Sequence, residues 1–387
     1  MLRVLARCSP AALVLFTACS DSTAPTPAAP RLALAVGSFH ACAIVGTDAR
    51  CWGQGSQGQL GVGVTPADST PVTVAAATPL VSLVAGTNHT CGLDADGNAY
   101  CWGSNRDGQL GTADQIEECP LPCGTTPKLV AGGLRFQGLA SGMEHTCGLT
   151  AEGKAYCWGL NDLGQLGTTA ANESCTDGPC SRVPVLVQTE RTFRAVTAAN
   201  YHTCALDAAG LAFCWGFQLG TQGKVHVHPE FKPQVTALPG GFAFQEISAG
   251  GKHTCGLSRS GVAYCWGIDA IGAGPTPLES DIPVPVSGGH GFRSIYSAGL
   301  TSCGLVDDGA AYCWGPNSYG EIGTEPVGST VRFNLPTAVA GGLRFTALAP
   351  GGSTYCGITT AETIACWGRG IPGGHADSSV PVTVPGL

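Results

Sequence analysis

Short segments of alternating apolar and polar residues, separated by Gly, Pro, Asn and Asp, fill almost the whole chain, and a helical period is nearly absent. The pattern predicts many short strands joined by tight turns. One such pair of strands recurs with variations: His89-Thr90-Cys91-Gly92-Leu93, a turn, then Tyr100-Cys101-Trp102-Gly103. All seven tryptophans, Trp52, Trp102, Trp158, Trp215, Trp266, Trp314 and Trp367, stand in Cys-Trp-Gly, 48 to 57 residues apart. A repeat of that length predicts propeller blades or a solenoid rather than independent domains.

The cysteines set the register of each strand pair. Cys91/Cys101, Cys147/Cys157, Cys204/Cys214, Cys255/Cys265 and Cys303/Cys313 are all ten residues apart. If Cys91 lies opposite Cys101, then Leu93 faces Ala99, Asp94 faces Asn98, and a three-residue loop remains whose last position is left-handed. Glycine fills that position at Gly97, Gly153, Gly210, Gly261 and Gly309. Cys42/Cys51 is one residue shorter and leaves Gly46-Thr47, with glycine first as a type II′ turn requires. Cys356/Cys366 keeps the spacing but has Glu362 in place of the glycine. Directly opposed cysteines on antiparallel strands suit a disulfide, so seven staples within hairpins are expected. The competing reading makes each pair half of a tetrahedral zinc site.

Alternation puts His89 and Leu93 on the face of the cysteines, and Thr90, Tyr100 and Trp102 on the other. Strands without a polar face must be covered on both sides, so each blade's aromatic face is expected to pack on the cystine face of the next. His40, His89, His145, His202 and His253 stand two residues before the first cysteine, with Thr301 and Thr354 in the last two repeats. A ring of imidazoles for metal or proton chemistry is one reading. The other assigns them to the scaffold, each hydrogen-bonded to a nearby backbone group, because they share its period.

Composition narrows the setting. A net charge of −8 without a Lys/Arg run gives no footprint for phosphate backbones, so no nucleic-acid partner is expected. Twenty cysteines fit an oxidising compartment. At the start, Arg3 and Arg7 precede Ala11-Ala12-Leu13-Val14-Leu15-Phe16 and Thr17-Ala18-Cys19, which resembles a bacterial lipoprotein signal. That resemblance implies cleavage before Cys19 and its lipidation; a plain signal peptide cut near Ala28-Ala29 is the alternative. Residues 20–30 read as an extended Pro/Ser/Thr spacer. The expected layout is a signal over 1–18, a tether over 19–30 and a single domain over 31–387.

Gly58-Gln59-Leu60-Gly61, Gly108-Gln109-Leu110-Gly111 and Gly164-Gln165-Leu166-Gly167 follow the first three tryptophans. Blade four keeps Gln218-Leu219-Gly220 and blade six Gly320-Glu321-Ile322-Gly323; blades five and seven have lost the motif. With Gly-x-x-His-(Ser/Thr), the turn glycine and Trp-Gly, these motifs resemble the repeat of the regulator of chromosome condensation family. The resemblance covers residues 31–387 and implies an all-β, seven-bladed β-propeller with four-stranded antiparallel blades. The Pro/Val segment near Val380-Thr383 and the opening Leu32–Gly37 are expected to meet in one blade and close the ring. Cys119/Cys123 and Cys175/Cys180, in insertions after the motif, are expected to close small loops; a shared four-cysteine zinc site is the alternative.

No catalytic constellation, metal site or cofactor site is found. His226, His228 and Glu230 are nearly consecutive and lack a second partner. Lectins stack sugars on exposed aromatics, and here only Tyr201, Tyr296, Tyr319 and Tyr355 lie outside the repeat positions. The expectation is a monomeric binding scaffold in the cell envelope, on the periplasmic face or the cell surface. It meets the membrane through its lipid alone and takes a protein partner through loops such as 112–127 and 168–182. A carbohydrate-binding or hydrolytic propeller is the alternative, as is an exchange-factor or inhibitor role by family analogy.

Overall fold

The computed structural model describes residues 33–65, 68–114, 116, 118–171, 173–217, 234–269, 271–274, 279–370 and 377–387. Cys19, the spacer, Gln218-Leu219-Gly220 and the group His226, His228 and Glu230 lie outside the described residues. Within them the chain forms seven antiparallel sheets and no helix. Each sheet is built from one contiguous stretch and has four strands in chain order; blade three adds the short Glu173–Ser174. In blade two these strands are Leu80–Ala85, His89–Asp94, Ala99–Ser104 and Cys123–Leu129. The first strand of every blade lines an axial channel, so the chain runs from the axis outward in each blade.

The central hairpins have the register set by their turns. Cys91 pairs with Cys101, Leu93 with Ala99, and the Asp94 N–H donates to the Asn98 carbonyl. Counting back from that hydrogen-bonded pair places the cysteines at a non-hydrogen-bonded site, where strands approach most closely. Their Cα atoms are 4.1 Å apart. The same opposition and a Cα separation of 4.0–4.1 Å hold at Cys42–Cys51, Cys147–Cys157, Cys204–Cys214, Cys255–Cys265, Cys303–Cys313 and Cys356–Cys366. In all seven hairpins the two sulfurs are bonded to each other. The zinc reading of these pairs is therefore corrected: a sulfur such as that of Cys157, Cys265 or Cys313 is spent on its disulfide and has no thiolate to offer a metal.

Gly97 adopts φ +81°, and a Cβ there would lie 2.7 Å from the Phe136 carbonyl oxygen. In the last hairpin Glu362 adopts the same left-handed conformation, at φ 59°. That costs a side-chain-bearing residue about 1 kcal/mol, so Glu362→Gly should stabilise the protein by roughly that amount. A denaturant midpoint that falls or stays unchanged would contradict this.

Apart from the two-residue Glu173–Ser174 addition on blade three, the outer strands pair on one side only, and proline protects the open side. Pro71, Pro127, Pro184, Pro283, Pro336 and Pro381 each sit where the outer strand bulges opposite the tryptophan position. In blade two, for example, Cys101 pairs with Lys128 but Gly103 with Gly124. The cysteine spacing does not foretell this irregularity. Toward the inner hairpin Cys157, Cys265 and Cys313 stand in an even ladder, whereas toward the outer strand the register shifts directly after each of them.

Two further expectations are corrected. The aromatic face of each blade packs on the cystine face of the preceding blade, not the next. Trp102 lies against Cys42 and Cys51, Trp158 against Cys91 and Cys101, and Trp215 against Cys147 and Cys157. Trp314 likewise covers Cys255 and Cys265, and Trp367 covers Cys303 and Cys313. Nor do the two chain ends share a blade. Ala33–Val36 pairs with His40–Val45 in blade one, and Ser378–Thr383 pairs with Ile364–Gly368 in blade seven. Each of these blades already has four strands from its own stretch of chain, and the ring closes face to face. Val36, Ala41 and Trp52 meet Ala349, Cys356, Ile364 and Cys366.

Candidate interaction face

The repeated histidines are buried and latch neighbouring blades. The Nε2 of His40 lies 2.7 Å from Thr90 Oγ1, that of His89 2.9 Å from Thr146, and that of His145 2.9 Å from Thr203. His202 meets Thr254 at 2.9 Å and His253 meets Ser302 at 2.8 Å. The partner is thus a hydroxyl of the following blade rather than the backbone group expected from the sequence. Thr90 and Thr203 donate their own protons to the carbonyls of Gln59 and Gln165. Nε2 of His40 and His145 must therefore carry the proton, leaving Nδ1 as an unpaired acceptor. Desolvation lowers the pKa to about 3 at His40, His145 and His253 and to about 4 at His89 and His202, so all five rings are neutral.

Thr301, which replaces histidine in blade six, is matched by an exchange across the interface. Tyr355 occupies the threonine position of blade seven, donates its hydroxyl to the Thr301 carbonyl at 3.0 Å, and accepts from Thr301 Oγ1 at 3.2 Å. The ring and the small residue have swapped blades. Tyr355 is fully buried, which removes it from the aromatics available to a ligand.

The Gly-Gln-Leu-Gly turns are sockets for the following blade. Trp102, Trp158 and Trp215 donate Nε1 to the carbonyls of Gln59, Gln109 and Gln165 at 2.9–3.0 Å, and Trp367 to that of Glu321 at 3.0 Å. Leu60, Leu110, Leu166 and Ile322 fill the core beside them. Blade five retains a version that its sequence hides: Ile271 is buried, and a Cβ on Gly272 would lie 2.8 Å from Trp314 Nε1.

With the motif absorbed by the scaffold, the remaining candidate is the face that carries the insertions. Both insertions emerge at the histidine end of their blades, since Ser104 pairs with Cys123 and Leu160 with Cys180. Cys119 is bonded to Cys123 and Cys175 to Cys180, so each cysteine pair closes its own loop and the shared zinc site is ruled out. In the first loop Glu118 accepts from the Thr125 N–H at 2.8 Å, Thr125 Oγ1 at 2.7 Å and Lys128 Nζ at 2.5 Å. These bonds hold its carboxyl below the usual range despite desolvation. The tip residue Leu121 is 51% exposed.

The second loop folds back onto blade two. Thr176 Oγ1 donates to the Arg106 carbonyl at 3.1 Å, and the Asp177 N–H donates to Asp107 Oδ1 at 2.9 Å. Arg106 pairs with the Asp177 carboxylate at 3.5 Å. Glu144 stands beside this cluster and accepts from Gln109 Nε2 at 2.5 Å. Desolvation nevertheless pushes its pKa up to about 7. None of these contacts between the second insertion and blade two follows from sequence pattern, because no repeat relates them.

Toward the axis, one residue before each histidine position forms a rim: Phe39, Asn88, Glu144, Tyr201, Lys252, Leu300 and Ser353. Their variety contrasts with the uniform hairpins, and Phe39 and Leu300 expose much of their apolar surface. Tyr319, exposed in the blade-six turn, lies under Arg369, whose guanidinium carbon is 4.5 Å from the ring centroid. The channel inside the rim encloses about 320 Å³, and no titratable side chain is among its described lining residues. Among the described residues no group of three His, Cys, Asp or Glu is placed to hold a metal.

Fold and face together define a disulfide-stapled β-propeller with one decorated face. Profiles of the regulator of chromosome condensation (RCC1) repeat match residues 51–93, 96–149 and 152–206, and residues 80–109, 137–165 and 244–270. The protein is a propeller of RCC1 repeats. It is 29% identical over 265 residues to the ultraviolet-B receptor UVR8 of Arabidopsis thaliana, a match covering 66% of this chain and 57% of that one. Identity to protein RCC2 of Homo sapiens is 29% over 241 residues, 56% of this chain and 45% of the relative. The matches thus span about half the length of these relatives. Yeast RCC1 (Prp20), solved bound to Kap60, superposes with a TM-score of 0.72 at 22% identity over 88% of this chain and 84% of that one. The ectodomain of the Arabidopsis thaliana receptor kinase ACR4 gives 0.54 at 21% identity over 92% and 97%. Both likenesses concern the fold.

Proposed function

We propose that this protein is an exported, lipid-anchored interaction platform of the cell envelope, monomeric and without catalysis, that binds a protein partner through its decorated face. The observation that carries this reading is the placement of both disulfide-closed insertions and the variable rim on one end of an otherwise uniform ring. A rigid scaffold with variable loops at one end suits recognition, and an axial channel without titratable lining offers no general acid or base. The yeast relative solved with Kap60 sets a precedent for a protein partner.

The tether adds a direction. The first strand starts at Ala33, paired with Ile44 at the hairpin end of the blade, opposite the insertions. A chain held at Cys19 would be attached at that end, opposite the decorated face. Two results are expected. Cys19→Ser moves the protein from the membrane to the soluble fraction, and its retention in the membrane would contradict the anchor. Replacing residues 112–122 and 168–180 by short Gly-Ser links, with Cys123→Ser so that no thiol is left unpaired, abolishes capture of the envelope partner retained by the natural protein while the propeller stays folded. Undiminished capture by the loop variant would overturn the assignment of the face.

A further inference from the structure

We propose that the ring has a built-in opening seam between blades seven and one, so that it can part there without unfolding any blade. Five of the seven interfaces carry a histidine-to-hydroxyl latch, and the interface between blades six and seven carries the Thr301–Tyr355 exchange in its place. Among the described residues the seventh interface has neither. Thr354 stands in the histidine position but donates to the Arg369 carbonyl of its own blade, and Ala41 stands where the partner hydroxyl belongs. No tryptophan bond is found there either among the described residues; among them Trp266, between blades four and five, also lacks one, but that interface keeps its histidine latch. Trp52 Nε1 is buried without a hydrogen-bond partner among the described residues, whereas Trp102, Trp158, Trp215 and Trp367 each donate to the preceding blade.

Chain connection works in the same sense. At the six other interfaces the backbone passes from the outer strand of one blade to the inner strand of the next, which limits how far the two can separate. Blades seven and one are joined by no such connection and by no shared strand. Among the described residues, the hydrogen bond found across this seam is that from Arg50 Nη1 to the Gly386 carbonyl, at 3.3 Å and exposed. What remains is apolar packing of Val36, Ala41, Ala43 and Trp52 on Ala349, Cys356, Ile364 and Cys366. Apolar contact is non-directional and tolerates separation and return, while a buried latch must be remade in register.

Opening would bare one specific pair of groups: the Trp52 indole on one side and the Cys356–Cys366 disulfide on the other. Trp367 would stay covered by blade six and Cys42–Cys51 by Trp102. The test uses the full chain under native conditions, with brief hydroxyl-radical labelling for the indoles and a small thiol reductant followed by alkylation and peptide mapping for the disulfides. Trp52 is expected to label, and Cys356–Cys366 to reduce, at least tenfold faster than Trp158 and Cys91–Cys101, with Trp367 and Cys42–Cys51 protected. Uniform rates would overturn the seam. Fast reaction of Cys356–Cys366 together with Trp367 would overturn it as well, because that pattern belongs to unfolding of blade seven. A second arm grafts the missing latch with Ala41→Thr and Thr354→His, where Gly351 already provides the glycine that the rings of His40 and His89 rest on at Gly37 and Gly86. The graft is expected to slow reduction of Cys356–Cys366 at least fivefold and leave Cys91–Cys101 unchanged; an unaltered ratio would count against the seam.

Discussion

Lowering the pH from 7 toward 5 should destabilise the propeller through its five buried histidines. Each titrates near 6.5 in the unfolded chain but at about 3 or about 4 in the fold, held neutral by desolvation. Between those values unfolding takes up a proton per histidine, so stability is fully present above pH 6.5 and falls as the pH drops, by about 1.4 kcal/mol per unit per residue. Glu144 and Glu246 oppose this. Desolvation raises both to about 7, so they bind protons first in the folded state and stabilise it as the pH falls. Desolvation raises Asp107 and Glu321 in the same sense and lowers His290 with the other imidazoles, so four carboxyls against six imidazoles leave a net loss, steepest once the carboxyls are also protonated in the unfolded chain. His89→Gln keeps a donor toward Thr146 and should remove about 1.4 kcal/mol per pH unit from the slope between pH 6 and 5. Denaturant unfolding of both proteins at the two pH values checks it; identical slopes would contradict a buried neutral imidazole at this position.

The second large effect is expected from Trp158→Ala. The indole is fully buried against Cys91, Cys101, Leu110 and Val130, with Phe136 5.8 Å away. It also satisfies the Gln109 carbonyl at 2.9 Å. Truncation leaves a cavity and an unpaired buried acceptor, a loss of about 4 kcal/mol. Trp266, which keeps 8% of its surface exposed, should cost less on the same substitution. Equilibrium unfolding of the two variants gives the comparison, and a loss below about 1 kcal/mol at Trp158 would mean that the site collapses around the missing ring.

The fold was largely legible because hairpin chemistry is local. Ten-residue cysteine spacing with a glycine at the third loop position determines which residues face each other, and the pairing of Cys91 with Cys101 and Leu93 with Ala99 follows from that. What lies between blades was less legible. The order of faces, Trp102 on Cys42 rather than on a later cystine, depends on the sense in which blades are stacked, and alternation along a strand carries no such information. The shift of the outer strand after Cys157, Cys265 and Cys313 was hidden for a similar reason, since the hairpin spacing speaks only for the two inner strands. Ring closure went astray because Leu32–Gly37 and Val380–Thr383 both read as strands, but nothing local says that each already completes its own blade. Tyr355 illustrates the limit most clearly: read alone it is a spare aromatic, and only beside Thr301 does it become the counterpart of a histidine latch. The insertions announce themselves by their cysteines, whereas the docking of Thr176 and Asp177 onto Arg106 and Asp107 joins residues about 70 apart in sequence and has no pattern to reveal it.

The division between scaffold and face can be tested directly by photo-crosslinking in intact cells. A photoreactive residue is placed at Leu121, on the insertion of blade two, or at Asp96, in the hairpin at the opposite end of the same blade. Both sites are exposed, and both lie outside the latches and sockets. A discrete protein adduct from Leu121, lost when residues 168–180 are replaced and absent from Asp96, is the expected result. Adducts formed from Asp96 and not from Leu121 would place the partner on the hairpin end and contradict the assignment of function to the decorated face.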